Sequence, residues 1–302
     1  MYHEGCIITL ALADVDYAGF LVMFKLTTAD CSTLKTLPFP LPQVLPQAVD
    51  GDSFPHVAMV TTEKDVSKKG VSSFLTKGKK EIASLVAIRH HSTAGHLLFY
   101  ISTLEGEAGA RQRHLFVVDT QSKEEKCLSC DKKIGKGCKY VSASLFEDSQ
   151  KKQEDDVFFV LTCLDDSVVF PTTDSSSSSS SSSTTPFTAT FQYKHSAGVS
   201  KQLKMLEPNA GYKEKMDKFS WPTKKFFKAP IRTDDSDNGL NIHGQIFLPK
   251  FSHEKYGQNK KVAAGKKKKH PVLVHIYSGP STTKVNDRLV LDWHMHMATA
   301  QG

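Results

Sequence analysis

The sequence predicts a mainly β fold in which a β-rich region is followed by a βα pattern. Short apolar and β-branched runs recur between residues 53 and 206, and turn residues separate them. Many short antiparallel strands at this spacing are typical of a sandwich or a propeller. An almost wholly apolar run, residues 271–277, is then followed by a helical pattern. We therefore expect two domains, with a boundary near Glu207.

Eight runs form the predicted β-rich region: residues 56–62, 72–76, 84–90, 96–103, 113–120, 139–146, 156–163 and 187–194. A four-stranded propeller blade takes roughly 40–50 residues, so the region holds about three blades, too few to close a propeller. The nine serines 175–183 cannot form a packed core and are expected to be a flexible loop insertion. Residues 1–50 are weakly patterned, and the proline-rich residues 36–47 are interpreted as a linker.

After the boundary, residues 209–219 predict a short helix and residues 224–231 and 240–249 predict strands. Residues 271–277 predict a strand covered on both faces, because they are almost entirely apolar. Residues 287–298 fit a helix with Leu289, Trp293 and Met297 on one side.

The net charge of +7 does not indicate a nucleic-acid partner. Two lysine-rich runs, residues 77–80 and 266–269, lack the interleaved aromatic residues of a nucleic-acid surface and are interpreted as solvated loops. Residues 6–24 are fairly apolar, but Asp14 and Asp16 interrupt them and no basic segment precedes them. They predict neither a secretory signal nor a membrane span.

Four cysteines lie in order in the β-rich region: Cys127, Cys130, Cys138 and Cys163. Zinc bound by all four thiolates is one hypothesis, although zinc ribbons normally have two C-x2-C pairs and only one is present here. A disulfide between Cys138 and Cys163 would join two neighbouring strands and contribute roughly 3 kcal/mol. Disulfides are favoured, with zinc and free thiols as alternatives, and they imply an oxidising compartment.

Several ordered motifs resemble the dipeptidyl peptidase IV family of serine peptidases. The central motif is KCLSC, which is followed by GCKY and then by a lone cysteine. Upstream of these cysteines, in order, lie SFLTKGKKEI, LLFYIST and GARQRHLFVVDT. Downstream of them lie KFFKAPI, GQIFLPKF and HPVLVHIYSGP. The resemblance covers about residues 53–302. It implies a mainly β chain that holds the C-terminal blades of a β-propeller and then the first strands and helix of an α/β-hydrolase domain.

The resemblance also implies a domain plan. Residues 1–50 are unassigned, a divergent blade or linker. Residues 51–206 are a partial propeller that carries the serine insertion. Residues 207–302 are the N-terminal part of the hydrolase domain, truncated before the nucleophile, so the chain is expected to be a fragment.

The implied activity is that of a serine exopeptidase that removes X-Pro or X-Ala dipeptides from polypeptide N-termini. Tyr277 matches the tyrosine whose hydroxyl helps to form the oxyanion hole, and the implied disulfides are Cys127–Cys130 and Cys138–Cys163. No cofactor or metal is expected. No G-x-S-x-G motif occurs in the sequence, so the chain is expected to be inactive by itself.

For the full-length protein, the resemblance implies peptide substrates with Pro or Ala in second position, a homodimer and a type II membrane protein at the cell surface. The alternative is a non-enzymatic relative that serves as a protein-binding or channel-accessory module. Those relatives diverge at the Y-x-G-P segment, so Tyr277 in HIYSGP favours the enzymatic branch.

Overall fold

The fold is mainly β and antiparallel, as predicted. The chain divides into two compact units, Met1–Lys77 and Gly78–Gly302. The division near Glu207 stays a prediction. The computed structural model describes residues 7–8, 24–25, 41–49, 52–61, 70–91, 95–131, 134, 137–146, 155–170, 185–230, 241–248, 272–276 and 283–300.

The first unit contains a short strand pair and a three-stranded sheet. The pair is formed by β1 (Ile7–Ile8) and β2 (Phe24–Lys25). The sheet has the order β3 (Leu41–Val49), β4 (Asp52–Thr61), β5 (Gly70–Phe74), and all its pairings are antiparallel.

Strand β3 corrects the interpretation of residues 36–47 as a linker, since most of that stretch is paired with β4. The stretch contains Pro42 and Pro46, which have no N–H to donate to a neighbouring strand. Because β3 lies at the edge of its sheet, it needs hydrogen bonds along one side only, and prolines are tolerated there. Residues 36–40 lie outside the described residues.

The second unit opens with a four-stranded meander, called here the middle sheet. Its order is β6 (Ile82–His91), β7 (Gly95–Ser102), β8 (His114–Asp119), β9 (Glu125–Cys127). A one-turn helix, α1 (Gly106–Gly109), lies between β7 and β8, where the glycine-rich sequence indicates a turn.

A second four-stranded meander, the third sheet, follows. Its order is β10 (Val141–Phe146), β11 (Asp156–Cys163), β12 (Thr188–Lys194), β13 (Val199–Glu207). Strand β11 has the bounds that the sequence predicts. Strand β13 was not predicted, because its sequence, VSKQLKMLE, has polar residues between isolated apolar ones and contains no apolar run. The serine insertion between β11 and β12 lies outside the described residues.

The main core of the second unit is formed by one face of each of these two sheets. Side chains at alternate positions of β7, β8, β11 and β12 meet there, as the period of two along a strand requires. Phe159 and Phe191 are directly paired in register and their rings stack, with centroids 5.3 Å apart. Tyr193 meets Phe99 edge to face at 6.4 Å and so links the two sheets. The buried members are Leu97, Phe99, Ile101, Leu115, Val117, Leu128, Ile134, Cys138, Val141, Val157, Phe159, Leu161, Cys163, Phe187, Ala189, Phe191 and Tyr193.

The C-terminal part contains a one-turn helix, a β-hairpin and a final helix. They are α2 (Tyr212–Met216), β14 (Thr223–Pro230) paired with β15 (Asn241–Leu248), and α3 (Trp293–Ala300). A smaller apolar cluster ties them to the turn after β11. Its centre is Phe170, whose ring contacts those of Phe247 and Trp221 at centroid distances of 5.6 and 6.5 Å.

The expected buried strand at residues 271–277 is not observed in its described part. Residues 272–276 belong to no strand, and Val272 and Ile276 are 80% and 81% exposed. A strand that is buried on both faces needs neighbours on both sides and above and below. Among the described residues no strand pairs with this segment. Residues 271 and 277 lie outside the described part.

The final helix begins six residues later than predicted and buries a different side chain. The peptide groups of Asp287 and Leu289 donate to the carbonyls of Arg111 and Leu164, which holds this segment in a non-helical conformation. Asp292 then caps the helix, since its carboxylate accepts a 3.0 Å hydrogen bond from the Met295 amide. Met295 is the buried residue, whereas Trp293 and Met297 are exposed.

The stacked phenylalanine pair provides a test of the core. Replacing Phe159, which is fully buried, with Ala should lower the free energy of unfolding by about 3 kcal/mol or more, because the change removes apolar burial and leaves a cavity. Urea unfolding of wild-type and F159A protein measures the difference. Phe219→Ala is the matched control, since Phe219 is 60% exposed. Equal effects at the two positions would contradict this location of the core.

Candidate functional site

Tyr277, the residue that the sequence assigns to an oxyanion hole, lies outside the described residues. The segment immediately before it, residues 272–276, is exposed. Its assignment therefore stays a prediction. The described part of the chain brings other polar side chains together in three places.

The first place is an open groove between the middle and third sheets. It has a volume of about 510 Å³, and strands β6 and β10, which form its walls, are each at the edge of a sheet. Edge strands present main-chain donors and acceptors, so a groove of this kind can bind an extended peptide segment. It is lined by residues 83–86 and 140–145, together with Ile101, Arg113, Leu164 and Arg288.

Arg113 is the buried cation of this groove. It is 5% exposed, and its guanidinium donates to the carbonyls of Ala110 and Gln112 at 3.1 and 3.0 Å. Its Nη2 also donates to Thr283 Oγ1 at 2.8 Å and lies 3.5 Å from Glu81 Oε2. The Arg113 guanidinium therefore bonds chiefly to the chain just before β8, and its hydrogen bond to Thr283 links that part of the chain to segment 283–289.

The second place is a buried ionic junction between the turn after β11, strand β14 and the same segment. Lys224 Nζ donates to Asp166 Oδ2 at 2.6 Å and to the Asn286 carbonyl at 2.7 Å. It also lies 4.0 Å from Asp287 Oδ1, which is 3.7 Å from Arg111 Nε. The Arg111 guanidinium in turn lies 3.8 Å from the centre of the Phe226 ring.

Burial dominates the electrostatics of this junction. Desolvation raises the pKa of Asp166 to about 6, against the opposing attraction of Lys224. It also raises the pKa of Asp287, which is 3% exposed. Removing one member of such a group leaves a buried charge without compensation, so each member depends on the others.

The third place is formed by the cysteines, which make two disulfides. Cys127 joins Cys130, and Cys138 joins Cys163, the pairing that the resemblance implies. Cys163 ends β11 opposite Val141, the first residue of β10. This disulfide therefore closes the end of a strand pair. The four sulfurs are bonded in pairs and do not converge on one tetrahedral centre, as the zinc hypothesis requires.

His114 lies beside the first disulfide. A ring nitrogen of His114 and the sulfurs of Cys127 and Cys130 lie within 4.8 Å of one another. His114 Nδ1 is 3.1 Å from Ser129 Oγ, and its Nε2 is 3.1 Å from Gln112 Oε1. Burial lowers the pKa of His114 to about 4, so the imidazole is neutral near pH 7.

Sequence reasoning missed the ionic junction and the histidine. Asp166 and Lys224 are 58 residues apart in sequence, and nothing in the local pattern marks either as buried. The one local signal is the pair Asp165–Asp166 at the end of a strongly apolar strand. Carboxylates at such a position require partners when the turn is covered. His114 was not singled out, because a histidine at the start of a strand is compatible with packing alone.

No family model matches the chain. Among curated proteins, it is 24% identical over 255 residues to dipeptidyl peptidase 4 from Sus scrofa, across 83% of this chain and 25% of that protein. It is 22% identical over 254 residues to prolyl endopeptidase FAP from Bos taurus, across 84% of the chain and 26% of the relative. Dipeptidyl peptidase 4 and prolyl endopeptidase FAP are homologues of this chain.

A solved structure of a family protein has the same fold. The crystal structure of Porphyromonas gingivalis dipeptidyl peptidase 4 aligns with a TM-score of 0.50 and 19% identity, over 83% of this chain and 27% of that one. The chain spans about a quarter of the length of the curated relatives it matches. In the described part of the chain, no helix is both long enough and apolar enough to cross a membrane.

The ionic junction gives a stability prediction. Replacing Lys224 with Met should lower the free energy of unfolding by about 3 kcal/mol, because Asp166 and Asp287 then lose their shared cation in a buried site. Lys225→Met, one residue further along β14 and exposed, is the matched control and should have little effect. Urea unfolding of both variants measures this, and a K224M protein as stable as K225M would rule out the junction as described.

The disulfides give a second prediction. Non-reduced peptide mapping should recover the Cys127–Cys130 and Cys138–Cys163 links. On a chain-entropy model, loss of Cys138–Cys163 by a double Ser substitution costs about 3.5 kcal/mol and loss of Cys127–Cys130 about 2 kcal/mol, because the first closes a longer loop. Reductant should lower the melting temperature and EDTA should not. A fall of the melting temperature with EDTA in unreduced protein would indicate a structural metal instead.

Proposed function

We propose that these 302 residues are part of a dipeptidyl peptidase IV-like serine exopeptidase, which removes X-Pro or X-Ala dipeptides from the N-termini of polypeptides. The observation that carries the proposal is the similarity to dipeptidyl peptidase 4 over 83% of the chain. Prolyl endopeptidase FAP, a second peptidase, matches over nearly the same share. Two peptidases that align across the same region support a peptidase for this chain.

In this proposal, residues 51–206 contribute blades of a β-propeller and residues 207–302 contribute the start of an α/β-hydrolase domain. The two four-stranded antiparallel meanders support the first part, since this is the form of a propeller blade. The hairpin β14–β15 and helix α3 support the second part.

Tyr277 is proposed as an oxyanion-hole donor. When a serine attacks a peptide carbonyl, negative charge develops on the carbonyl oxygen, and a phenol hydroxyl fixed near it can stabilise that charge. The serine nucleophile and its histidine base are assigned to residues other than these 302, in which no G-x-S-x-G motif occurs. The full-length protein is proposed to be a cell-surface homodimer that acts on peptides with Pro or Ala in second position.

A kinetic experiment tests this proposal. In the full-length protein that contains these residues, Tyr277→Phe should lower kcat for a Gly-Pro chromogenic substrate by about 10²–10³ with little change in KM, because the hydroxyl acts in the transition state. Tyr212→Phe, in helix α2, is the matched control and should retain full activity. The 302-residue polypeptide alone should show no turnover.

The outcomes separate the candidate functions. Turnover that copurifies with the 302-residue polypeptide would disprove the assignment of the nucleophile to other residues. A full-length protein without activity toward Gly-Pro or Ala-Pro substrates would favour the alternative, a non-enzymatic relative that serves as a protein-binding or channel-accessory module.

A further inference from the structure

The two described disulfides differ sharply in access to solvent. Cys138 and Cys163 are 2% and 0% exposed, whereas Cys130 is exposed and Cys127 is half-buried. Cys127 also lines a surface hollow of about 210 Å³. Thiol–disulfide exchange needs direct contact between the attacking thiolate and a sulfur atom. A dithiol in solution therefore reaches Cys127–Cys130 first.

Reduction of this bond would expose two thiols next to a buried imidazole. The three ligand atoms of His114, Cys127 and Cys130 already lie within 4.8 Å of one another. Two ligand atoms on a tetrahedral zinc ion are about 3.5–3.8 Å apart, given the usual Zn–S and Zn–N bond lengths. Binding of one ion by all three atoms therefore requires the two sulfurs to move apart once their bond is broken, and the nitrogen to approach them by at most about an ångström. In the oxidised form the sulfurs are bonded to each other and cannot both bind a metal.

The hydrogen bonds of His114 define which of its ring nitrogens carries the lone pair. Gln112 Oε1 is an acceptor, so the Nε2–H of the neutral ring donates to it and Nδ1 carries the lone pair. Nδ1 accepts from the hydroxyl of Ser129, which lies between the two cysteines in sequence. A metal would replace the Ser129 proton on Nδ1, while the Gln112 hydrogen bond continues to hold the tautomer and the orientation of the ring.

The backbone is also arranged to favour a thiolate. The amide of Cys130 donates to Cys127 Sγ over 3.1 Å. A donor of this kind interacts more strongly with a thiolate than with a disulfide sulfur, because the negative charge is concentrated on one atom. The loop between the two cysteines needs no rearrangement to provide it.

We propose that Cys127, Cys130 and His114 form a metal site that opens on reduction and binds one thiophilic divalent cation of the zinc type. Water or a substrate ligand completes the tetrahedron. Nothing in the peptidase function proposed above requires this site, and the two proposals can fail separately.

The chemistry balances as two steps. A dithiol reductant gives up two electrons and two protons to Cys127–Cys130 and becomes a cyclic disulfide, so the S–S bond breaks and two Cys thiols form. The cation then displaces both thiol protons into solvent and forms two metal–sulfur bonds and one metal–nitrogen bond. In the reverse direction, a small-molecule disulfide accepts two electrons from the two thiolates and is cleaved to two thiolates of its own, which re-forms Cys127–Cys130, removes two ligands and releases the cation.

Cobalt(II) is the probe, because thiolate ligation gives it a strong near-ultraviolet charge-transfer band. All proteins carry Cys6→Ser and Cys31→Ser, so that the four cysteines in the two disulfides are the only ones present. Mild dithiol treatment, removal of the reductant and alkylation mapping of a sample should show Cys127 and Cys130 reduced and Cys138–Cys163 intact. The reduced protein should then bind one equivalent of Co²⁺ with the thiolate band, and zinc should displace it. The untreated protein should show no band.

Two variants and one chemical control test the ligands. Cys127→Ser with Cys130→Ser should abolish the band, and alkylation of the two thiols in the parent protein should do the same without a substitution. His114→Gln should retain the band but weaken Co²⁺ binding at least about tenfold, since loss of an outer partner alone costs that much. His96→Gln, on the neighbouring strand β7, is the matched control and should leave the affinity unchanged.

Each of several outcomes would overturn the proposal. The first is Co²⁺ binding without the thiolate band in protein whose two thiols are shown to be free. The second is an unchanged affinity for Co²⁺ in the H114Q protein. The third is Co²⁺ binding by the doubly Ser-substituted or the alkylated protein. Alkylation of Cys138 or Cys163 before Cys127 and Cys130 would overturn the argument from access.

Discussion

The second unit depends on the contact between one apolar face of the middle sheet and one apolar face of the third sheet. Alternate residues of β7, β8, β11 and β12 supply most of it. Both sheets are meanders, so each sheet pairs strands that follow one another in sequence, and the contact between the two sheets brings together strands that are farther apart in sequence. The Cys138–Cys163 disulfide is part of this contact, since both cysteines are buried in the core, and the groove lies between edge strands of the two sheets.

The ionic junction around Lys224 provides polar partners for a segment without regular secondary structure. The segment 283–289 is in neither a sheet nor a helix, so its peptide groups and charged side chains need specific partners. Arg113, Lys224 and Asp166 provide them, together with main-chain hydrogen bonds to Arg111 and Leu164. Buried charges of this kind are costly to desolvate and contribute more to a unique arrangement than to net stability, which is a hypothesis for this protein.

The parts of the fold that the sequence predicted are those governed by local pattern. The short apolar run DVFFVLTC predicted β11 to the residue, and the disulfides followed from the cysteine order and the family resemblance. The errors arose where tertiary context decides. Strand β3 contains prolines that only an edge position tolerates, β13 is too polar to stand out, and residues 272–276 have the composition of a buried strand without described neighbours. Likewise, no local signal separates the buried Lys224 from the exposed Lys225.

The Cys138–Cys163 disulfide also determines how the chain carries mechanical load. It joins the open end of the β10–β11 pair, so the residues between the two cysteines form a covalent ring. Tension applied along the chain passes from Cys138 to Cys163 through sulfur and does not reach the hydrogen bonds between the two strands. The stretch from Cys138 to Cys163, a sequence separation of 25, would otherwise extend to roughly 85 Å. A pulled chain in the oxidised state is therefore shorter by that length, and its β10–β11 ladder stays closed at forces that open the other strand pairs.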